Sequence, residues 1–190
     1  MMRLFQKADA ETELFATNSG LKCKTGCGHC CENPNIETTV LEMIPVALDL
    51  LRRNESREVL NRLTDSQPSG VCTFYRRDPF KKDHGRCSIY PFRPLICRLF
   101  GFSATMDKHQ QNIFMTCQVI KDLYPEEYEK VSAAVKADRL PIARLRDFSM
   151  KVFSIDPVLG NKRLPINDAL RIALEKIGLF LDLKSQKENT

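Results

Sequence analysis

The chain has 190 residues, enough for one domain at roughly 150 residues per domain, and its 43% hydrophobic and 28% charged residues exclude a disordered or fibrous chain. No apolar run approaches the roughly 18 residues a membrane span needs, and residues 1–7 lack the apolar stretch of an export signal. The net charge of +5 is spread along the chain rather than clustered, so it gives no clear nucleic-acid signal.

Residues 2–17 predict an amphipathic helix with Leu4, Phe5, Ala8, Leu14 and Phe15 as its apolar members, stopped by Asn18-Ser19-Gly20. Cys23-Lys24-Thr25-Gly26-Cys27-Gly28-His29-Cys30-Cys31 is glycine-rich and predicts an irregular loop. Thr39 and Glu42 have capping-box spacing ahead of an apolar run, which predicts a helix to about Arg53, kinked or displaced by Pro45. A second helix covers 55–64, and Gln67-Pro68-Ser69-Gly70 is a turn. Residues 71–75 and 86–90 read as strands around a polar loop. Pro91 and Pro94 keep the next segment extended. Residues 99–105 and 112–116 predict a second hairpin around 106–109.

From Tyr124 onward the chain reads helical, with Pro125 suited to a first turn. Another helix spans 141–153 and is broken by Asp156-Pro157 and Leu159-Gly160-Asn161. The last helix starts at Pro165 and places Ile166, Leu170, Ala173, Leu174, Ile177, Phe180 and Leu181 on one apolar face. The tail 184–190 is polar and expected to fray. The expected fold is α+β, mostly helical, with small β-hairpins around a cysteine-rich metal site. It is one domain over 1–190, with the cysteine region at 20–120 and a helical layer at 121–183.

The eight cysteines, Cys23, Cys27, Cys30, Cys31, Cys72, Cys87, Cys97 and Cys117, are the unusual feature. With no export signal, clustered thiols point to a reducing cytoplasm and to metal ligands rather than disulfides. Thiolate sets select zinc, iron–sulfur clusters or cuprous copper over hard cations. Cys30 and Cys31 are adjacent, and in extended backbone their side chains point opposite ways, so they serve different metals or leave one thiol spare. Eight cysteines make two four-thiolate sites, or one with four left over. Cys72, Cys87, Cys97 and Cys117 join the N-terminal cluster only if the fold brings the hairpins to that loop. Cys23-x3-Cys27-x2-Cys30 also has the spacing of the radical S-adenosylmethionine motif, but the chain lacks the alternating strands and helices of that barrel. His29 is a secondary candidate ligand, while His84 and His109 read as loop residues.

Gly85-Arg86-Cys87-Ser88-Ile89-Tyr90-Pro91-Phe92-Arg93-Pro94-Leu95-Ile96-Cys97-Arg98 resembles the signature of the YkgJ-type cysteine-cluster family. Cys27-Gly28-His29-Cys30-Cys31 resembles that family's C-G-x-C-C element, Val71-Cys72-Thr73-Phe74 stands at its C-x-F element, and Cys23 and Cys117 match its outer cysteines. The resemblance covers about 20–120. It implies a domain chelating zinc or iron, and it extends distantly to flagellin lysine N-methylase.

Metal binding through the eight cysteines is therefore expected, with Cys27, Cys30, Cys87 and Cys97 in the densest motifs. The cofactor is zinc or an iron–sulfur cluster, most simply 4Fe-4S, in a structural or electron-carrying role. The alternative is an enzyme resembling the lysine methylase, with S-adenosylmethionine as a further cofactor. A third class is a partner-docking protein using the apolar helix at 165–183. Arg93 and Arg98 flank the last motif and are expected to offset the negative charge of a thiolate–metal site.

Overall fold

The capping box read at Thr39 and Glu42 forms and starts a central helix. In the computed structural model, which describes residues 1–65, 70–81 and 84–188, α2 (Val40–Arg52) begins where Thr39 Oγ1 accepts the Glu42 N–H at 3.3 Å. Glu42 Oε2 accepts the Thr39 N–H at 3.1 Å in return. Pro45 is carried inside this helix without ending it.

The apolar face of α2 buries Met43, Val46, Ala47 and Leu50 against Ile166, Ala169, Leu170 and Ala173 of α8 (Ile166–Glu188). Val59 of α3 (Ser56–Asp65) completes this core. Each large side chain so buried contributes about 1.5–3 kcal/mol. The stripe read on α8 faces the core only as far as Ile177, and Phe180 and Leu181 are exposed. α8 has 23 residues against 13 in α2, so its last turns outrun the layer they pack on.

Two further cores flank this one. Phe5 and Ala8 of α1 (Met2–Ser19) pack with Leu95 and Leu99 of α4 (Leu95–Leu99) and with Phe148 and Val152 of α7 (Leu145–Ile155). Phe15 and Leu21 pack with a hairpin of β4 (Ser103–Met106) and β5 (Asn112–Met115). α5 (Gln118–Leu123) and α6 (Pro125–Lys136) close that third core through Ile120, Val131 and Val135. Leu14, counted among the apolar members of α1, is exposed.

The sheets are small, as expected, and the chain is mostly helical α+β. β1 (Glu37–Thr39) pairs antiparallel with β7 (Arg163–Pro165), Thr38 facing Leu164. β2 (Tyr75–Arg77) pairs antiparallel with β3 (Gly85–Cys87), Tyr75 facing Cys87. β6 (Ala143–Arg144) adds parallel to β4, giving the order β5-β4-β6.

Several boundaries move. The first hairpin pairs 75–77 with 85–87, not 71–75 with 86–90. Leu95–Leu99 is helical, because Pro94 stands at its N-cap and ends the extended stretch. The helix read over 141–153 starts at Leu145, since Ala143 and Arg144 are taken into the sheet. The tail expected to fray is helical backbone to Glu188. Residues 67–69 of the predicted turn and residues 189–190 lie outside the described residues. Among the described residues no helix is long and apolar enough to cross a membrane.

Candidate metal centre

The first cysteine loop is docked directly on the first hairpin. Cys27 forms an antiparallel bridge with His84, and the Gly85 N–H donates to Gly26 O at 3.0 Å. This approach requires glycine. A Cβ on Gly28 would lie 2.6 Å from the Tyr75 ring, and one on Gly85 would lie 2.3 Å from it. A polar clamp then fixes the loop. Tyr75 Oη donates to Glu32 Oε1 at 3.0 Å, and Arg77 Nη2 donates to the same oxygen at 2.8 Å. Arg77, and after it Tyr75, hold the Glu32 carboxyl below its ordinary pKa.

Between Gly28 and Asn33 the backbone makes a 3-10 turn, His29–Glu32. Cys30 and Cys31 are therefore about 120° apart around a helix axis, not opposed as extended backbone would place them. They act on one another directly. Hydrogen bonding from Cys31 is the largest cause holding the Cys30 thiol down, to about 6, with the Arg93 charge assisting. The same contact, followed by burial, pushes Cys31 up. The two thiols thus titrate as one unit, the contact easing loss of the first proton and opposing loss of the second. The His29 imidazole faces Glu32, 3.8 Å from Oε2.

Three further cysteines converge from separate elements. Cys87 ends β3. Cys72 lies in the loop before β2, where Asn167 of α8 accepts the Thr73 N–H and donates to Val71 O, both at 2.9 Å. Cys97 rides on α4, whose first N–H, that of Leu95, donates to Glu42 Oε1 at 2.9 Å. Cys72, Cys87 and Cys97 all pack against the α2–α8 core. Burial, above other causes, raises Cys72 to about 11 and raises Cys87 and Cys97 as well. Charges on Cys72, Cys30 and Cys87 add to the effect on Cys97.

Cys117, the N-cap of α5, packs against the third core. Its charge acts on exposed Cys23, which burial of its thiol, followed by Cys27, Cys30 and Cys117, raises to about 11. All eight cysteines are free thiols. Among the described residues, no group of three or more His, Cys, Asp or Glu side chains stands close enough together to hold a metal ion. The thiols are neighbours that perturb one another, and a thiophilic metal suits this donor set by discharging protons that burial now holds in place.

The two arginines read beside the last motif do different things. Arg93 stacks on Tyr90, its Cζ 3.5 Å from the ring centroid, and its charge favours thiolate at Cys30, Cys87 and Cys97. Arg98 is buried and turned away. It pairs with Asp9 of α1, donates to Pro91 O at 2.5 Å and to Arg93 O at 2.7 Å, and lies over Phe5. Its guanidinium is committed to the α1–α4 junction and meets the site only through the backbone of Arg93. Arg76 is the second arginine whose charge reaches the thiols, at Cys72 and Cys87. Asn167 and Glu42 were also missed as supports of the site. Nothing in sequence spacing signals a contact across 94 residues, such as that between Asn167 and Thr73.

Cys30, Cys31 and Cys97 open onto a cavity of about 190 Å³, whose other walls include Ile36, Ile96 and Phe100.

A cysteine-lined, mostly helical α+β domain of this kind defines a metal-chelating class. A family model, the CxxCxxCC putative zinc- or iron-chelating domain, matches residues 22–132, and the chain belongs to that family. No curated protein and no solved structure matches the chain. Asn167 lies outside the matched segment.

Proposed function

We propose that this metal-binding protein holds an iron–sulfur cluster or zinc through its clustered cysteines, in a structural or electron-carrying role within a reducing, cytoplasmic setting. The observation that carries this is the convergence of Cys30, Cys31, Cys72, Cys87 and Cys97 from four separate elements into one set of mutually acting thiols. Half-buried thiols in such numbers are costly to ionise together unless a cation neutralises them. Arg93 and Arg76 offset the residual negative charge of a four-thiolate site. Zinc would tie the segments together, and an iron–sulfur cluster would in addition carry single electrons.

The adjacent Cys30–Cys31 pair and the resemblance to the lysine methylase incline this reading to iron–sulfur over zinc. Anaerobic purification followed by metal and acid-labile sulfide analysis tests this choice. Iron with sulfide and a broad visible absorption supports a cluster. A colourless protein with stoichiometric zinc supports the structural role instead.

A second reading, an S-adenosylmethionine-dependent protein lysine methylase-like enzyme, is favoured by one feature. The cavity beside Cys30, Cys31 and Cys97 gives a small molecule room next to the thiols. Calorimetric titration of the metal-loaded protein with S-adenosylmethionine tests it. Absence of binding removes this alternative.

A further inference from the structure

We propose that the cavity on the β2–β3 hairpin binds a phosphate-bearing small molecule with a flat ring, the chemistry of a nucleotide, held between Arg76 and Arg86 and stacked on Phe80. The site goes beyond the metal-binding reading above and does not depend on it. The cavity holds about 420 Å³, and Arg76, Arg77, Asp78, Phe80 and Arg86 are among its walls. Room of this size takes a molecule larger than a single ion.

The first ground is an unrelieved repulsion. Arg76 and Arg86 stand directly opposite one another in the hairpin register, and both are exposed. Side chains so opposed share one face of the sheet, where like charges destabilise the pairing. The carboxylates nearby are engaged elsewhere. Glu32 takes Arg77, at 2.8 Å. Asp78 closes its own turn, its Oδ1 accepting the N–H of Phe80 at 2.9 Å and of Lys81 at 3.1 Å. Among the described residues neither Arg76 nor Arg86 has an acidic partner. An anion placed between them turns the repulsion into two charge-assisted contacts.

The second ground is preparation. Arg76 Nη1 donates to Thr73 O at 2.8 Å and to Tyr75 O at 2.9 Å, which holds the guanidinium in place and leaves its other N–H groups for a ligand. Two facing guanidinium groups match a phosphate better than a carboxylate. A phosphate carries close to two negative charges and three acceptor oxygens, whereas a carboxylate carries one charge and two oxygens.

The third ground is Phe80, which is 93% exposed. One exposed apolar side chain is ordinary by itself. This one lines the same cavity as the two arginines and offers a free aromatic face, on which a planar ring can stack.

Calorimetric titration of the full-length native protein tests the site, with adenosine monophosphate, inorganic pyrophosphate and adenosine as probes. Adenosine monophosphate should bind more tightly than either of the others, and its affinity should fall as salt is raised. Arg86→Gln, at an exposed side chain with no bond to lose, should weaken it about tenfold or more. Phe80→Ala should weaken adenosine monophosphate about tenfold and leave pyrophosphate unchanged. Lys108→Gln removes the same charge from the turn between β4 and β5 and should change nothing. No binding of adenosine monophosphate, equal binding of adenosine, or equal weakening by Lys108→Gln and Arg86→Gln overturns the site. Pyrophosphate binding as tightly as adenosine monophosphate overturns the role of the ring, and with it the ligand class. Metal content measured on the same samples reads the metal-binding proposal separately.

Discussion

Asn167 brackets Cys72. From the first turn of α8 its amide accepts the N–H of Thr73 and donates to the carbonyl of Val71, the residues on either side of the cysteine, both at 2.9 Å. The helical layer beyond the family-matched segment thus holds one of the thiols in place. Asn167→Ala leaves two backbone groups without these partners and should cost about 1–3 kcal/mol. It should also loosen metal, since supports of this kind commonly change affinity by about 10–100-fold. Chelator competition alongside urea unfolding of the metal-free protein measures both effects. Unchanged chelator resistance would show that α8 does not support the site.

The arginines should separate cleanly. Arg98 is a buried charge with a half-exposed partner, Asp9, and two carbonyl acceptors. Arg98→Met should destabilise the metal-free protein by about 2–3 kcal/mol, less than a wholly buried pair because water screens Asp9. Arg93→Gln should leave that stability nearly unchanged and instead weaken metal retention about tenfold, or lower the reduction potential of an iron site. Denaturant midpoints and metal competition on both variants check the contrast. Equal loss of stability in the two would contradict the separate roles.

The Glu32 clamp gives a pH dependence with a definite sign. Arg77 and Tyr75 depress the Glu32 pKa below its ordinary 4.5, so its stabilising contribution is present above that value and lost as pH falls through the depressed folded-state value. Wild-type protein should therefore be more stable than Glu32→Gln at pH 7, and the difference should shrink toward zero in acid below 4.5. Unfolding curves of the two metal-free proteins across that range measure it. A difference that persists in acid would show that the carboxylate charge is not what clamps the loop.

Much of this architecture is legible in local sequence. The Thr39–Glu42 capping box, Pro125 at a helix start and the spacing of Ile166, Leu170, Ala173 and Leu174 each encode their element within a few residues. β1, β6 and β7 were not legible, because two- or three-residue strands have no periodicity and exist only through partners far along the chain. The cysteines were legible as a set. The direct contact of Cys30 with Cys31 was not, since extended geometry was assumed there and a 3-10 turn forms. Arg98 illustrates the same limit. Its place beside Cys97 in the chain says nothing of Asp9, 89 residues earlier, which claims its guanidinium.

Chelation by these cysteines is tested by the metal content of the native protein and of four single variants, Cys27→Ala, Cys30→Ala, Cys87→Ala and Cys97→Ala. These four cysteines come from the loop docked on β3, the 3-10 turn, β3 itself and α4. Stoichiometric zinc or iron is expected in the native protein, with reduced content in each variant and lower thermal stability where metal is lost. A native protein without stoichiometric metal, or four variants that all retain full metal content, would contradict it.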